Sequence, residues 1–126
     1  MTSRFAECRA PSLSVVCRGR VRLAVLNADW AVSVCGERFV VPAGFTTDGA
    51  SIPRPFRWIC GDPMERPRVF AALLHDWLYT GGTSRLGRLE SDRVYFAMLR
   101  HFGVSETRAF VEFLAVRAFG WSHWGT

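Results

Sequence analysis

The sequence predicts an α+β domain: a small antiparallel β-meander, then a long Gly/Pro-rich loop, then three α-helices. Three observations carry this. Short β-branched runs lie between Leu13 and Val41, eight glycines and prolines punctuate Pro42 to Pro67, and apolar residues then recur at helical spacing.

The meander spans about 12–41, with runs at Leu13–Cys17, Val21–Leu26, Trp30–Cys35 and Arg38–Val41. Asn27-Ala28-Asp29 and Gly36-Glu37 separate the later runs and are expected to be hairpin turns. Val21, Leu23 and Val25 alternate with arginine and alanine, which predicts that these three face the core. The loop 42–66 is long for a structureless connection, a length that points to function. Phe45, Ile52, Phe56, Trp58 and Ile59 give it apolar anchors, so it is expected to be ordered and packed on the body.

Pro67 suits a first helical position. Val69, Phe70, Leu73, Leu74, Trp77 and Leu78 follow at helical spacing until Gly81-Gly82. A second helix is predicted from about Glu90 to Phe102, with Val94, Met98 and Phe102 on one stripe, Tyr95 and Leu99 beside it, and Gly103 as its cap. Ser105 starts a third, in which Phe110, Phe113, Leu114, Ala118 and Phe119 recur, and Gly120 closes the helical part at 67–120.

A chain of 126 residues is bounded to one domain, 1–126, with one core. Apolar residues at 49% and charged residues at 21% exclude intrinsic disorder. No apolar run approaches a membrane span, and the N-terminus MTSRFAECRAPS has no signal-like core, so neither a transmembrane segment nor a signal peptide is expected. The net charge is 16 − 11 = +5, and every basic residue is arginine. The arginines are scattered with acids between them, so no specific nucleic-acid reader is expected, although attraction to anionic lipid fits the same charge. Cys8, Cys17, Cys35 and Cys60 form no C-x-x-C pair and are expected to be free thiols.

Four ionisable positions could carry chemistry: Asp48 in Thr47-Asp48-Gly49-Ala50-Ser51, the pair His75-Asp76, and Asp92. Successive helical residues point about 100° apart, so His75 and Asp76 cannot share one apolar stripe, whereas Tyr79 lies one turn beyond His75 on its face. A helix built only for packing has no use for both. Asp48, His75 and Asp92 are therefore expected to converge, with His75 hydrogen-bonded to a carboxylate. The bland alternatives are a boundary histidine, an exposed Asp76, an Asx-turn at Asp48, and Asp92 as the N-cap of the second helix. No G-x-S-x-G elbow or H-E-x-x-H helix is present. A zinc site from His75, Asp92 and Asp48 stays open.

The string Val41-Pro42-Ala43-Gly44-Phe45-Thr46-Thr47-Asp48-Gly49-Ala50-Ser51-Ile52-Pro53 is followed by His75-Asp76, Leu78-Tyr79 and Asp92. With the closing Ala115-Val116-Arg117 and Phe119-Gly120, it resembles a phage and prophage family, domain of unknown function 1353 (DUF1353), over roughly residues 38–124. The resemblance implies a viral or prophage origin, hence a place in the host cytoplasm during assembly and in the virion. His75-Asp76-Trp77-Leu78-Tyr79 also looks like the active-site helix of secreted phospholipase A2 enzymes, with Asp48-Gly49 similar to the calcium loop of their bacterial members. That likeness implies His75 as general base, Asp92 fixing its tautomer and Tyr79 supporting both. It also implies Asp76, Asp48 and the Gly49 loop around Ca²⁺, with Zn²⁺ the second choice. Unlike those enzymes, the chain has no cysteine after Cys60.

The function expected is a metal-assisted hydrolase acting on a bacterial envelope component, a phospholipid ester ahead of a peptidoglycan peptide. The alternative is a non-enzymatic virion or assembly protein. In it the Asp/His cluster is a structural clasp, and Trp121 and Trp124 anchor other virion proteins.

Overall fold

Among the described residues, two three-stranded antiparallel sheets form the first half of the chain and three helices form the second. The computed structural model describes residues 5–34, 37–48, 65–66, 68–80 and 87–119. The strands are β1 (Phe5–Cys8), β2 (Leu13–Arg18), β3 (Val21–Leu26), β4 (Trp30–Val34), β5 (Glu37–Val41) and β6 (Thr46–Thr47). The expected α+β order is therefore present. Expectations placed on Gly49, the anchors from Ile52 to Ile59, Pro67, Gly81-Gly82, Gly120, Trp121 and Trp124 lie outside the described residues.

The expected meander is divided. One sheet has the order β1-β4-β5 and the other β2-β3-β6, so β3 and β4 are not neighbours. Asn27-Ala28-Asp29 carries the chain between the sheets instead of closing a hairpin. Its side chains are engaged elsewhere: Asn27 accepts from Ser14 Oγ at 3.0 Å, and Asp29 Oδ1 accepts from the Ala43 backbone N–H at 2.8 Å. A segment that bonds sideways to two neighbouring stretches of its own chain has no reason to fold β4 back onto β3.

The loop also contributes a strand. Gly44, at φ +88°, lets the backbone turn tightly; its N–H bonds Leu26 O at 2.8 Å, and Leu26 N–H bonds Phe45 O at 3.0 Å. The turn delivers Thr46 and Thr47 to the edge of β3, where Ala24 pairs with Thr47 and Val25 with Thr46. Cross-strand partners share a face. Thr47 faces the helices, so Ala24 does too, and Ala24 and Leu26 are the buried residues of β3. Val21 is exposed and Leu23 and Val25 are half-buried, which reverses the expected face. In the other sheet Trp30 and Val32 of β4 pair with Val41 and Phe39 of β5, and all four are buried.

The helices are α1 (Arg68–Tyr79), α2 (Arg88–His101) and α3 (Glu106–Phe119). From Arg68 through His75 every residue of α1 is buried, as befits a helix enclosed on several sides. Its pair Phe45–Trp77, with ring centroids 5.3 Å apart, ties it to the loop before β6. The cap of α2 is a Schellman motif: Gly103 at φ +96° bonds Arg100 O, and Val104 N–H bonds Leu99 O at 2.9 Å. Ser105 caps α3, its Oγ accepting from Arg108 N–H at 3.3 Å.

The face of α3 departs from expectation. Phe110 and Leu114 are 51% and 49% exposed, whereas Ala109, Glu112, Ala115 and Val116 are buried. The reason is Glu112, which forms a two-pronged ion pair with buried Arg68 of α1, at 2.6 and 2.9 Å, and accepts from Tyr95 Oη of α2 at 3.1 Å. A charge pair held between helices orients α3 by its polar residue and its small ones.

Candidate active site

Three helix ends meet at the site: the last turns of α1 and α3 and the first turns of α2. His75 lies near the end of α1, and its Nε2 is 2.7 Å from Oδ1 of Asp92 on α2. Tyr79, one turn further along α1, donates its hydroxyl to the same oxygen. From α3, Arg117 Nη1 donates to Asp92 Oδ2 at 2.9 Å. Asp92 is 0% exposed and is the fifth residue of α2, so it is not the helix cap. That position belongs to Gly87, with no side-chain capping bond.

Burial alone would raise the Asp92 carboxyl, but the bonds from His75, Tyr79 and Arg117 outweigh it and hold the group below the ordinary carboxylate range. Burial, then the bond to Asp92, pushes the Tyr79 phenol well above its ordinary value, opposed by the nearby Arg88. Tyr79 is thus a neutral donor and Asp92 an ionised, acceptor-only group. The proton between His75 and Asp92 must then belong to Nε2, which makes Nδ1 the ring nitrogen not committed to Asp92. Nδ1 makes no hydrogen bond among the described residues, and the side chain keeps 8% exposure.

A second polar contact lies on the sheet side of α1. Thr47 Oγ1 of β6 is 2.5 Å from Asp76 Oδ2, so Asp76 is half-buried and bonded, not an ordinary exposed acid. Asp48 follows Thr47 directly, is exposed, and makes no hydrogen bond or ion pair with His75 or Asp92. The structure thus brings His75, Tyr79 and Asp92 into one bonded cluster, places Asp76 beside β6, and shows no bond from Asp48 to the cluster. Gly49 lies outside the described residues.

The donors do not suit the zinc alternative. His75 Nε2 and both Asp92 oxygens are already engaged with one another, Tyr79 and Arg117. Among the described residues no group of three or more His, Cys, Asp or Glu is placed to hold an ion.

Sequence reasoning missed Arg117, Thr47 and Arg88. Arg117 and Thr47 stood in the motif strings without a role. Their signal was polarity at positions that helix and strand periodicity assign to an interior. Arg88 opens α2, and its Nη2 donates to the C-terminal carbonyls of α3, Val116 O at 3.2 Å and Arg117 O at 2.5 Å.

These features define a class: an α+β protein whose helix-borne histidine bonds a buried, arginine-clamped aspartate. The chain belongs to the family described as "Protein of unknown function (DUF1353)", whose model matches residues 24–116. The match takes in His75, Tyr79 and Asp92 and ends one residue before Arg117. The protein "Uncharacterized protein y4iH" of Sinorhizobium fredii (strain NBRC 101917 / NGR234) is 38% identical over 102 residues, 80% of this chain and 41% of that protein. "Uncharacterized protein y4jT" of the same strain is 33% identical over 85 residues, 68% of this chain and 25% of its own length. The chain therefore matches about two-fifths and one quarter of these longer relatives. No solved structure matches it. No helix among the described residues is long and apolar enough to cross a membrane.

Proposed function

We propose that the chain is a hydrolase of phage or prophage origin in which the His75–Asp92 pair activates water against a component of the bacterial envelope, a phospholipid ester ahead of a peptidoglycan peptide. The observation that carries this is the Nδ1 of His75, which makes no hydrogen bond among the described residues, opposite an Nε2 held by an ionised carboxylate. In the proposed step Nδ1 takes a proton from water as the water oxygen attacks the ester carbonyl. The imidazolium that forms is stabilised across Nε2 by Asp92, and its Nδ1 proton then passes to the leaving alkoxide. Tyr79 and Arg117 keep Asp92 in place and ionised. Asp76 and Asp48 would supply carboxylates to a Ca²⁺, which when bound would polarise the carbonyl.

The purified chain is to be assayed on anionic phospholipid vesicles and on sacculi, with and without Ca²⁺. His75→Ala should lower hydrolysis roughly 10²–10⁴-fold. Equal inertness of wild type and His75→Ala on both substrates would end the hydrolase reading.

One observation favours a second reading, a virion or assembly protein with the cluster as a clasp. Asp92 and Glu112 each bond side chains from both of the other two helices, and such buried networks hold helices in register without any turnover. Under this reading His75→Ala would reduce stability or virion incorporation with no activity to lose.

A further inference from the structure

The β2–β3 hairpin reaches beyond the core. Cross-strand partners share a face, and Leu13–Leu26 and Val15–Ala24 are the rungs whose β3 members are buried. Val15 itself is 48% exposed although it lies opposite a fully buried alanine, so the core ends at that rung. Beyond it come the rungs Val16–Leu23, Cys17–Arg22 and Arg18–Val21, closed by Gly19 at φ +65° and Arg20. Every residue from Cys17 to Arg22 is exposed, on both faces of the ribbon, so the tip stands about 10 Å past the last core rung. On the outer face Val16 and Val21, 38% and 50% exposed, extend the half-buried Leu23 and Val25 into one apolar strip.

The arginines are scattered along the sequence, but the net charge is not. From Arg9 to Ala28 the chain has four arginines and no acid. The other arginines, 16 − 4 = 12, meet 11 acids, so all but +1 of the net +5 lies on this stretch. Arg18 and Arg20 make no ion pair or hydrogen bond among the described residues. The tip therefore carries unpaired cations beside uncovered valines. A soluble polyanion would satisfy the arginines alone. Between Leu13 and Leu26 there is no aromatic or amide side chain to stack on bases or read their edges. An anionic bilayer satisfies both kinds of group: its phosphates take the guanidinium heads while the valines enter the boundary with the acyl chains.

We infer that the β2–β3 hairpin is a membrane-docking arm, which lays Val16 and Val21 into the interface of an anionic bilayer with Arg18 and Arg20 on its phosphates. The inference rests on the hairpin and not on His75, so it goes beyond the hydrolase reading and stands or falls apart from it.

The test uses the full chain and vesicles of ether-linked phospholipids, which hold no carboxylic ester to cleave, so binding is read apart from turnover. Co-flotation would compare vesicles of phosphatidylcholine with vesicles of an equal mixture of phosphatidylcholine and phosphatidylglycerol. The chain should bind the anionic vesicles roughly tenfold or more tightly than the neutral ones, and added salt should weaken that binding. Arg18→Gln with Arg20→Gln should weaken it roughly twentyfold, about fivefold for each charge. Val16→Thr with Val21→Thr keeps β-branched side chains at exposed strand positions and should weaken it roughly tenfold. Duplex DNA and polyglutamate serve as anions with no apolar layer, and sedimentation equilibrium reports self-association. Equal binding of neutral and anionic vesicles, or of neither, would overturn the inference. Anionic binding that survives both double substitutions would do the same, because it would place the lipid elsewhere on the chain. Vesicle binding matched by the soluble polyanions and unchanged by the valine pair would make the arm a plain polyanion site. A dimer dissolved by the valine pair would assign the strip to a second copy, and either result rejects the docking arm. The comparison of vesicles and salt uses the wild-type chain alone, so no loss of fold can imitate it.

Discussion

Asp92 and Arg117, 25 positions apart in the chain, are joined at 2.9 Å between the first turns of α2 and the last turns of α3. The bond neutralises a fully buried carboxylate and leaves its other oxygen to His75 and Tyr79. Orientation of the histidine and docking of the third helix therefore depend on the same side chain.

Acid stability should report this directly. The folded-state pKa of Asp92 is depressed, so its contribution is present at neutral pH, above the unfolded carboxylate value near 4, and is lost as pH falls through the folded value. Urea midpoints measured from pH 7 down to pH 2 should fall along an acid limb for wild type. Asp92→Asn should flatten that limb and cost roughly 3–5 kcal/mol at pH 7, as expected when one partner of a buried charge network is removed.

At the alkaline end the sign reverses. The Tyr79 phenol is raised, so the folded state holds a proton that the unfolded state releases near pH 10. Its contribution is complete below that pH and is lost above it. Tyr79→Phe should remove this alkaline decline while losing one hydrogen bond to a charged group, about 1.5–3 kcal/mol. Denaturation at pH 8 and pH 11 checks both effects.

Glu112→Gln would remove the buried carboxylate of Arg68 and leave it the more exposed Glu65, 3.4 Å from its Nη1, and a loss of roughly 3–5 kcal/mol is expected. Arg68→Met combined with Glu112→Leu should recover much of that loss, because the uncompensated charge leaves together with its partner. A double-mutant cycle by urea denaturation measures the coupling; strictly additive single effects would show that the pair is not a unit.

Gly103→Ala tests the α2 cap. A Cβ there meets nothing within 4 Å, so any cost is conformational, from φ +96°. The expected loss is on the order of 1–2 kcal/mol, read as a lowered thermal midpoint. An unchanged midpoint would show that the cap has relaxed to another backbone path.

Much of this protein was legible in local pattern. Four strand runs, the spans of the three helices, the Gly103 cap and the Ser105 start follow from periodicity and capping chemistry within a few residues of chain. The choice of His75, Tyr79 and Asp92 also came from local logic, since ionisable groups on an apolar helix require partners. What local pattern could not show was which partners. Residues 46–47 form a strand only because β3 has a free edge beside them. β1 is too short to stand out from its flanks and is defined by its pairing with β4. The inward face of β3 was decided by Thr47 reaching Asp76, not by the larger side chains of Val21, Leu23 and Val25. On α3 the hydrophobic stripe lost to an ion pair: Glu112 turned inward to Arg68, and Phe110 and Leu114 turned out. Arg117 acquired its role from the same docking. Periodicity ranks residues by hydrophobicity along one element, whereas a buried charge is satisfied only by a group from another, and that match exists only once the elements have packed.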